Sequence, residues 1–238
     1  MSSLKIRTEP IKLILDRSIF ELPTLRNDFE KALKEIWGFA VFKPMLDLCA
    51  TKCSAKNLMF KVSNKRFFEM DEGNCKTIVT PVGGFLNKFR HEKKFEISIK
   101  KMSTEVIVHE VAHMIEQACD LDITQEFASV MVAEIQTAMQ AKGGMAKSAI
   151  KQVLIDEMKG YPKSHVASEL FARIYQLVAQ SQEIYGYAED FAFSYESICQ
   201  TFSKTLAWLK QNIDPIVEKM NDAEIVKASA QYKHKEGA

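Results

Sequence analysis

The stretch FEISIKKMSTEVIVHEVAHMIEQ, Phe95 to Gln117, decides the fold. Its first part alternates: Phe95, Ile97 and Ile99 are apolar, whereas Glu96, Ser98 and Lys100 are polar, the pattern of a strand buried on one face. At Ser103-Thr104 the texture changes to that of a helix, with a hydroxyl placed to cap its first turn. Apolar residues then fill Val106, Ile107, Val108, Val111, Ala112, Met114 and Ile115, so the helix is expected to be buried nearly all round.

Reading outward from this junction gives two unlike halves. Downstream the periodicity predicts helices over 104–118, 125–141, 145–158, 165–180 and 189–211, broken at Gly143-Gly144 and at Gly160-Tyr161-Pro162. Upstream it predicts a helix over Asn27–Val41, another turn or two over Met45–Ala50, and a short strand over Lys12–Leu15. Further strands are expected in LMFKV (58–62), RFFEM (66–70) and KTIVTPV (76–82), with turn chemistry at Asp71 to Asn74. Strands first and helices second make an α+β fold. The chain reads as one domain over 1–238: an α/β portion over 1–102 with an edge strand near 95–100, a helical portion over 103–226, and a flexible tail over 227–238.

Composition narrows the function classes. A formal net charge of +1, from 32 basic and 31 acidic side chains, supplies no field for nucleic acid or an anionic membrane, so neither is expected as a partner. The basic cluster from Lys88 to Lys101 is interrupted by Glu92 and Glu96 and reads as a solvated strand. No run could span a bilayer, and the first sixteen residues lack the apolar core of a secretory signal. The five cysteines are odd in number and scattered, which suits reduced thiols, and Cys49 and Cys53 lack the second pair a zinc knot needs. The expected location is cytoplasmic, or outside the cell by a route without a signal peptide of that type.

Chemistry concentrates in the helix. His109 and His113 are four residues apart, so on a helix they differ by about 40° in direction and about 6 Å in rise, and their imidazoles can bind one ion from the same side. Glu110 lies one step round, where its carboxylate can reach a water on that ion without ligating it. A plain core helix whose histidines hydrogen-bond carboxylates is the bland alternative, but it leaves Glu110 unexplained and costly to bury.

These residues, HEVAH within an apolar helix preceded by a strand, resemble the H-E-x-x-H helix of the zincin metallopeptidases. The resemblance implies Zn2+ as cofactor, a mixed sheet above the helix, and an edge strand beside the substrate cleft; Phe95–Lys100 is the segment that matches that strand. It also implies a third protein ligand. The metzincin extension does not fit, because Glu116 stands at its glycine and Cys119 at its last histidine, and Asp120 is one position late for the aspartate variant. The thermolysin-like pattern would use Glu134, but its flanking residues Ala133 and Ala138 differ from that pattern. The words ELFAR within YPKSHVASELFARIYQL resemble the second helix of lethal-factor-like gluzincins and imply Glu169 as ligand with Tyr161 assisting, although Arg173 replaces a common glutamate. Glu126, in TQEFASVMVAEIQ, is the rival, through its likeness to the regulatory ImmA/IrrE-like peptidases. Glu169 and Arg173 could instead be an exposed ion pair one helical turn apart.

The functional expectation is a zinc-dependent endopeptidase acting on a peptide or protein substrate. His109, His113 and Glu169 hold the metal, Glu110 is the general base, and Tyr161 or His165 donates to the oxyanion. The competing expectation is a non-catalytic, zincin-derived binding module that keeps a relic or structural metal site. Oligomeric state stays open.

Overall fold

The computed structural model describes residues 10–64, 72–81, 91–119, 125–140, 150–156, 158–159, 161–181, 195–212, 214–215 and 217–219. The expected strand over 66–70 and the tail over 227–238 lie outside them, as do 145–149 and 189–194 of two expected helices. The chain is α+β and mainly helical, with one small mixed sheet. In chain order the elements are α1 (Pro10–Leu15), β1 (Ser18–Phe20), α2 (Thr24–Gly38), α3 (Lys43–Ser54), β2 (Leu58–Val62), β3 (Gly73–Pro81), β4 (His91–Ile99), α4 (Thr104–Ala118), α5 (Gln125–Gln140), α6 (Val166–Ser181), α7 (Tyr195–Thr201) and α8 (Ser203–Asn212). No helix among the described residues is long and apolar enough to cross a membrane.

The sheet order is β1-β2-β4-β3. β1 runs parallel to β2, β2 parallel to β4 with Phe60 opposite Ile97, and β3 antiparallel to β4 with Cys75 opposite Ile97. This corrects the sequence expectation that Phe95–Lys100 is an edge. Its inner face is buried as the alternation requires, with Phe95, Ile97 and Ile99 all in the core. Both flanks of its backbone, however, are hydrogen-bonded, and the outer lane belongs to β3. Side-chain alternation reports which face is buried and carries no information on whether a neighbouring strand pairs with the backbone.

Two further boundaries differ from expectation. The segment at Lys12–Leu15 is part of helix α1, because Pro10 suits a first helical turn and Ile14 and Leu15 point into the core one turn later. The helix expected over 189–211 is divided at Phe202, which is fully buried between α7 and α8. Glu134 of α5 explains the restart: its carboxylate accepts from the Lys204 and Thr205 amides at 2.9 and 3.0 Å and from the Thr205 hydroxyl at 2.7 Å, capping α8 from outside.

Helix α4 occupies the centre. β3 and β4 cover one side and α6 packs against another, with α2 and α3 closing the rest. Ser103 caps it, its hydroxyl accepting from the Val106 amide. Val106, Ile107, Val108, Val111 and Ile115 are β-branched, which weakens intrinsic helix propensity, yet all are buried. Each such burial contributes about 1.5–3 kcal/mol, so packing rather than propensity holds this helix.

Candidate metal centre

Helices α4 and α6 meet where each has an interruption in its apolar surface. His109 and His113 are the half-buried positions on the α6 side of α4. On α6 the stripe Leu170, Ile174, Leu177 and Val178 is buried, which turns Glu169, in the first turn, toward the two imidazoles. The two Nε2 atoms stand 3.2 Å apart, with the rings at 81° to one another. Glu169 places Oε1 3.4 Å from His113 Nε2 and Oε2 3.7 Å from His109 Nε2. Among the described residues this is the one group of three or more His, Cys, Asp or Glu side chains whose ligand atoms converge, all within 4.8 Å.

The triangle fits an ion better than it fits hydrogen bonds. Tetrahedral zinc with bonds near 2.0–2.2 Å sets its ligand atoms about 3.3 Å apart, close to the spacing of the two Nε2 atoms and to the approach of one Glu169 oxygen to each of them. Two facing Nε2 atoms can share one proton at most, and the carboxylate edges are long for N–H···O contacts. Glu169 Oε2 is buried without a hydrogen-bond partner among the described residues, an arrangement that costs free energy unless a cation completes it.

Electrostatics support the same assignment. Burial, then the neighbouring His113, drives the His109 pKa down to about 3, so this imidazole is neutral and its lone pair is available. For His113 burial acts in the same direction, but the Glu116 and Glu169 carboxylates beside it outweigh burial and hold the pKa up to about 9. Burial would raise the Glu169 pKa, yet the His113 contact, the two imidazoles and Arg173 together keep it below the usual carboxylate range. At neutral pH His113 therefore holds a proton that a cation binding there would displace. The affinity of any divalent cation held there is expected to rise about tenfold per pH unit between pH 6 and 8. Competition with a chromophoric chelator at several pH values checks this, and a flat profile contradicts it.

Glu110 is 7% exposed and lies against the first residue of β3. A Cβ on Gly73 would stand 2.7 Å from Glu110 Oε1 and 2.8 Å from its Cγ, so only glycine leaves the carboxylate its place. Two residues along β3, burial pushes the Cys75 thiol up to about 12, with the Glu110 and Glu116 carboxylates adding to the effect, and it stays neutral. In sequence Gly73 reads as turn chemistry; a glycine inside a strand does signal close approach, but it does not name the partner. Gly73→Ala is expected to displace the Glu110 carboxylate and to lower stability by about 1–3 kcal/mol in denaturant unfolding. Equal stability of the two proteins would contradict this.

Tyr161 is 39% exposed and precedes α6 by a short turn. Burial raises its pKa first and the Glu169 charge second, Arg173 opposes them, and Glu110 adds to the rise, which places the phenol among these groups. Arg173 belongs to the inner wall: its Nε is 3.9 Å from Glu169 Oε2, with the two side chains only 9% and 12% exposed. The solvated ion pair considered from sequence is thus replaced by a buried one. His165 lies exposed on the 3-10 turn Lys163–His165, and its ring makes no hydrogen bond or ion pair among the described residues.

The rivals for third ligand are elsewhere. Glu126 is exposed in the first turn of α5, and Glu134 is the cap of α8. Glu134→Ala is expected to lower stability by about 1–2 kcal/mol in denaturant unfolding with zinc binding unchanged. Loss of zinc would contradict its role as a cap. Cys49 and Cys53 are buried thiols with raised pKa values, burial being the main cause in each.

A second layer is absent from the sequence reading. The Ser168 hydroxyl donates to Glu116 Oε2 and lies 3.3 Å from His113 Nδ1, which is itself 3.6 Å from Glu116 Oε2. The His109 ring has no such pair behind it; Gln176, which accepts from Arg173, is the polar side chain beside it. No family model, curated protein or solved structure matches this chain.

Proposed function

We propose that this protein is a zinc-dependent endopeptidase of zincin type, with His109, His113 and Glu169 as the metal ligands and Glu110 as general base. The observation that carries the proposal is that two imidazoles and the Glu169 carboxylate bring their ligand atoms within 4.8 Å of one another, with a buried glutamate on the adjoining helical position. Two nitrogen donors and one oxygen donor are the ligand set of a catalytic zinc that keeps a position open for water or substrate. Zinc bound there would supply a Lewis acid that acidifies water toward a pKa of ~7 and polarises a peptide carbonyl.

The protein's own groups account for the remaining steps. Glu110 accepts the proton of the attacking water and delivers it to the leaving amine. The Tyr161 phenol, close to the Arg173 charge, donates a hydrogen bond to the developing oxyanion. Among the described residues β3 ends the sheet order, and it begins beside Glu110, so an extended peptide pairing along it would bring its scissile bond to the base.

Digestion of an unbiased peptide library tests the proposal. The expected result is internal cleavage that a chelator abolishes and zinc restores. Cleavage indifferent to chelation, or none from the zinc-loaded protein, overturns it.

A further inference from the structure

We infer that Glu116 and Ser168 are positioning residues for His113, acting as a two-step relay that aims one metal ligand from behind. The inference rests on reading His109, His113 and Glu169 as ligands. A serine hydroxyl has one proton, and Ser168 gives it to Glu116 Oε2. Its oxygen is then free to accept, and the nearest donor is His113 Nδ1 at 3.3 Å. The direct His113 Nδ1 to Glu116 Oε2 separation, 3.6 Å, is too long for a good hydrogen bond, so the hydroxyl is the necessary intermediate.

The direction of this chain has a chemical consequence. It requires the remaining proton of His113 to sit on Nδ1 whenever Nε2 is occupied by a metal, which is the tautomer that ligation through Nε2 demands. The carboxylate at the far end increases the electron density of the imidazole and fixes its ring plane. Ser168 directly precedes Glu169, so one turn of α6 supplies both a ligand and the support of another ligand. Glu116 lies three residues after His113 on α4, on the same helical face. His109 lacks a serine–carboxylate pair of this kind and has the neutral Gln176 beside it, so the two histidines are not equivalent.

The test is zinc affinity of the full chain, measured by competition with a chelator, for wild type, Ser168→Ala, Ser168→Thr, Glu116→Gln and the double variant Ser168→Ala/Glu116→Gln. Loss of outer-layer support costs a metal site about 10–100-fold, and that loss is expected for Ser168→Ala and for Glu116→Gln. Ser168→Thr keeps the hydroxyl and should restore affinity to near the wild-type value. The double variant should be no weaker than the weaker single one, because both substitutions break one chain. Thermal unfolding of the metal-free proteins accompanies each measurement; unchanged midpoints with reduced affinity separate positioning from general damage. Wild-type affinity in Ser168→Ala, or additive losses in the double variant, overturns the relay while leaving the ligand assignment standing. A wild-type protein that binds no zinc overturns both.

Discussion

Glu110→Gln is expected to bind zinc as wild type does and to lose at least about 10³-fold in kcat, within the range that general acid–base catalysis supplies. The substitution keeps the shape of a side chain packed against Gly73, where there is no spare room, so the fold and the three ligand positions are retained. What disappears is the capacity to accept a proton. Zinc content by elemental analysis and cleavage of a library-derived peptide are the two readouts. If the protein were instead a binding module that uses the site structurally, Glu110→Gln would leave its measured activity, partner affinity, unchanged.

The second large effect concerns Glu169. Its Oε1 and Oε2 face His113 and His109, and the carboxylate is the single anionic member of the converging group. Glu169→Ala should lower zinc affinity by more than about 10²-fold, since even the loss of an outer-layer partner costs 10–100-fold. Arg173 lies 3.9 Å behind that carboxylate, so the alanine variant also loses a neutralising charge and is expected to unfold more easily. Glu169→Gln preserves the volume and separates the two effects: it should lose zinc with a smaller change in stability. Glu126→Ala and Glu134→Ala are the controls, because one side chain is exposed and the other caps a helix. Retention of zinc by Glu169→Ala together with its loss in Glu134→Ala would reverse the ligand assignment.

Sequence and structure agree most closely where chemistry and packing coincide. The helix over 104–118 was legible to the residue, because a capping serine and a nearly unbroken apolar surface bracket a motif whose histidines must share a face. Helix 165–180 was legible within one residue for the same reason. Sheet position was not: Phe95–Ile99 shows its buried face in every second residue, while its neighbour β3 is set by backbone pairing that alternation does not encode. The α1 segment failed because six residues are too few to separate a helical period from a strand's.

Within the site, residues that carry chemistry were visible and residues that carry geometry were not. His109, Glu110, His113 and Glu169 are of types that bind metals or move protons, and the structure brings the two histidines and Glu169 together. Gly73 matters for the atom it lacks, and Ser168 for one hydroxyl between two larger partners. Neither residue type is rare, and each role depends on contacts 37 and 55 positions away in the chain, counting 110 − 73 and 168 − 113. The division of 189–211 into two helices has the same origin, a carboxylate from α5 about seventy residues earlier supplying the cap.

The central claim is that one divalent ion is held by two imidazole nitrogens of α4 and one carboxylate of α6. X-ray absorption at the zinc edge, on protein purified without a metal-affinity tag, addresses it most directly. One zinc per chain with nitrogen and oxygen neighbours at about 2.0–2.2 Å and no sulfur is the predicted spectrum. A protein that retains no zinc, or a shell containing sulfur at about 2.3 Å, would contradict the account.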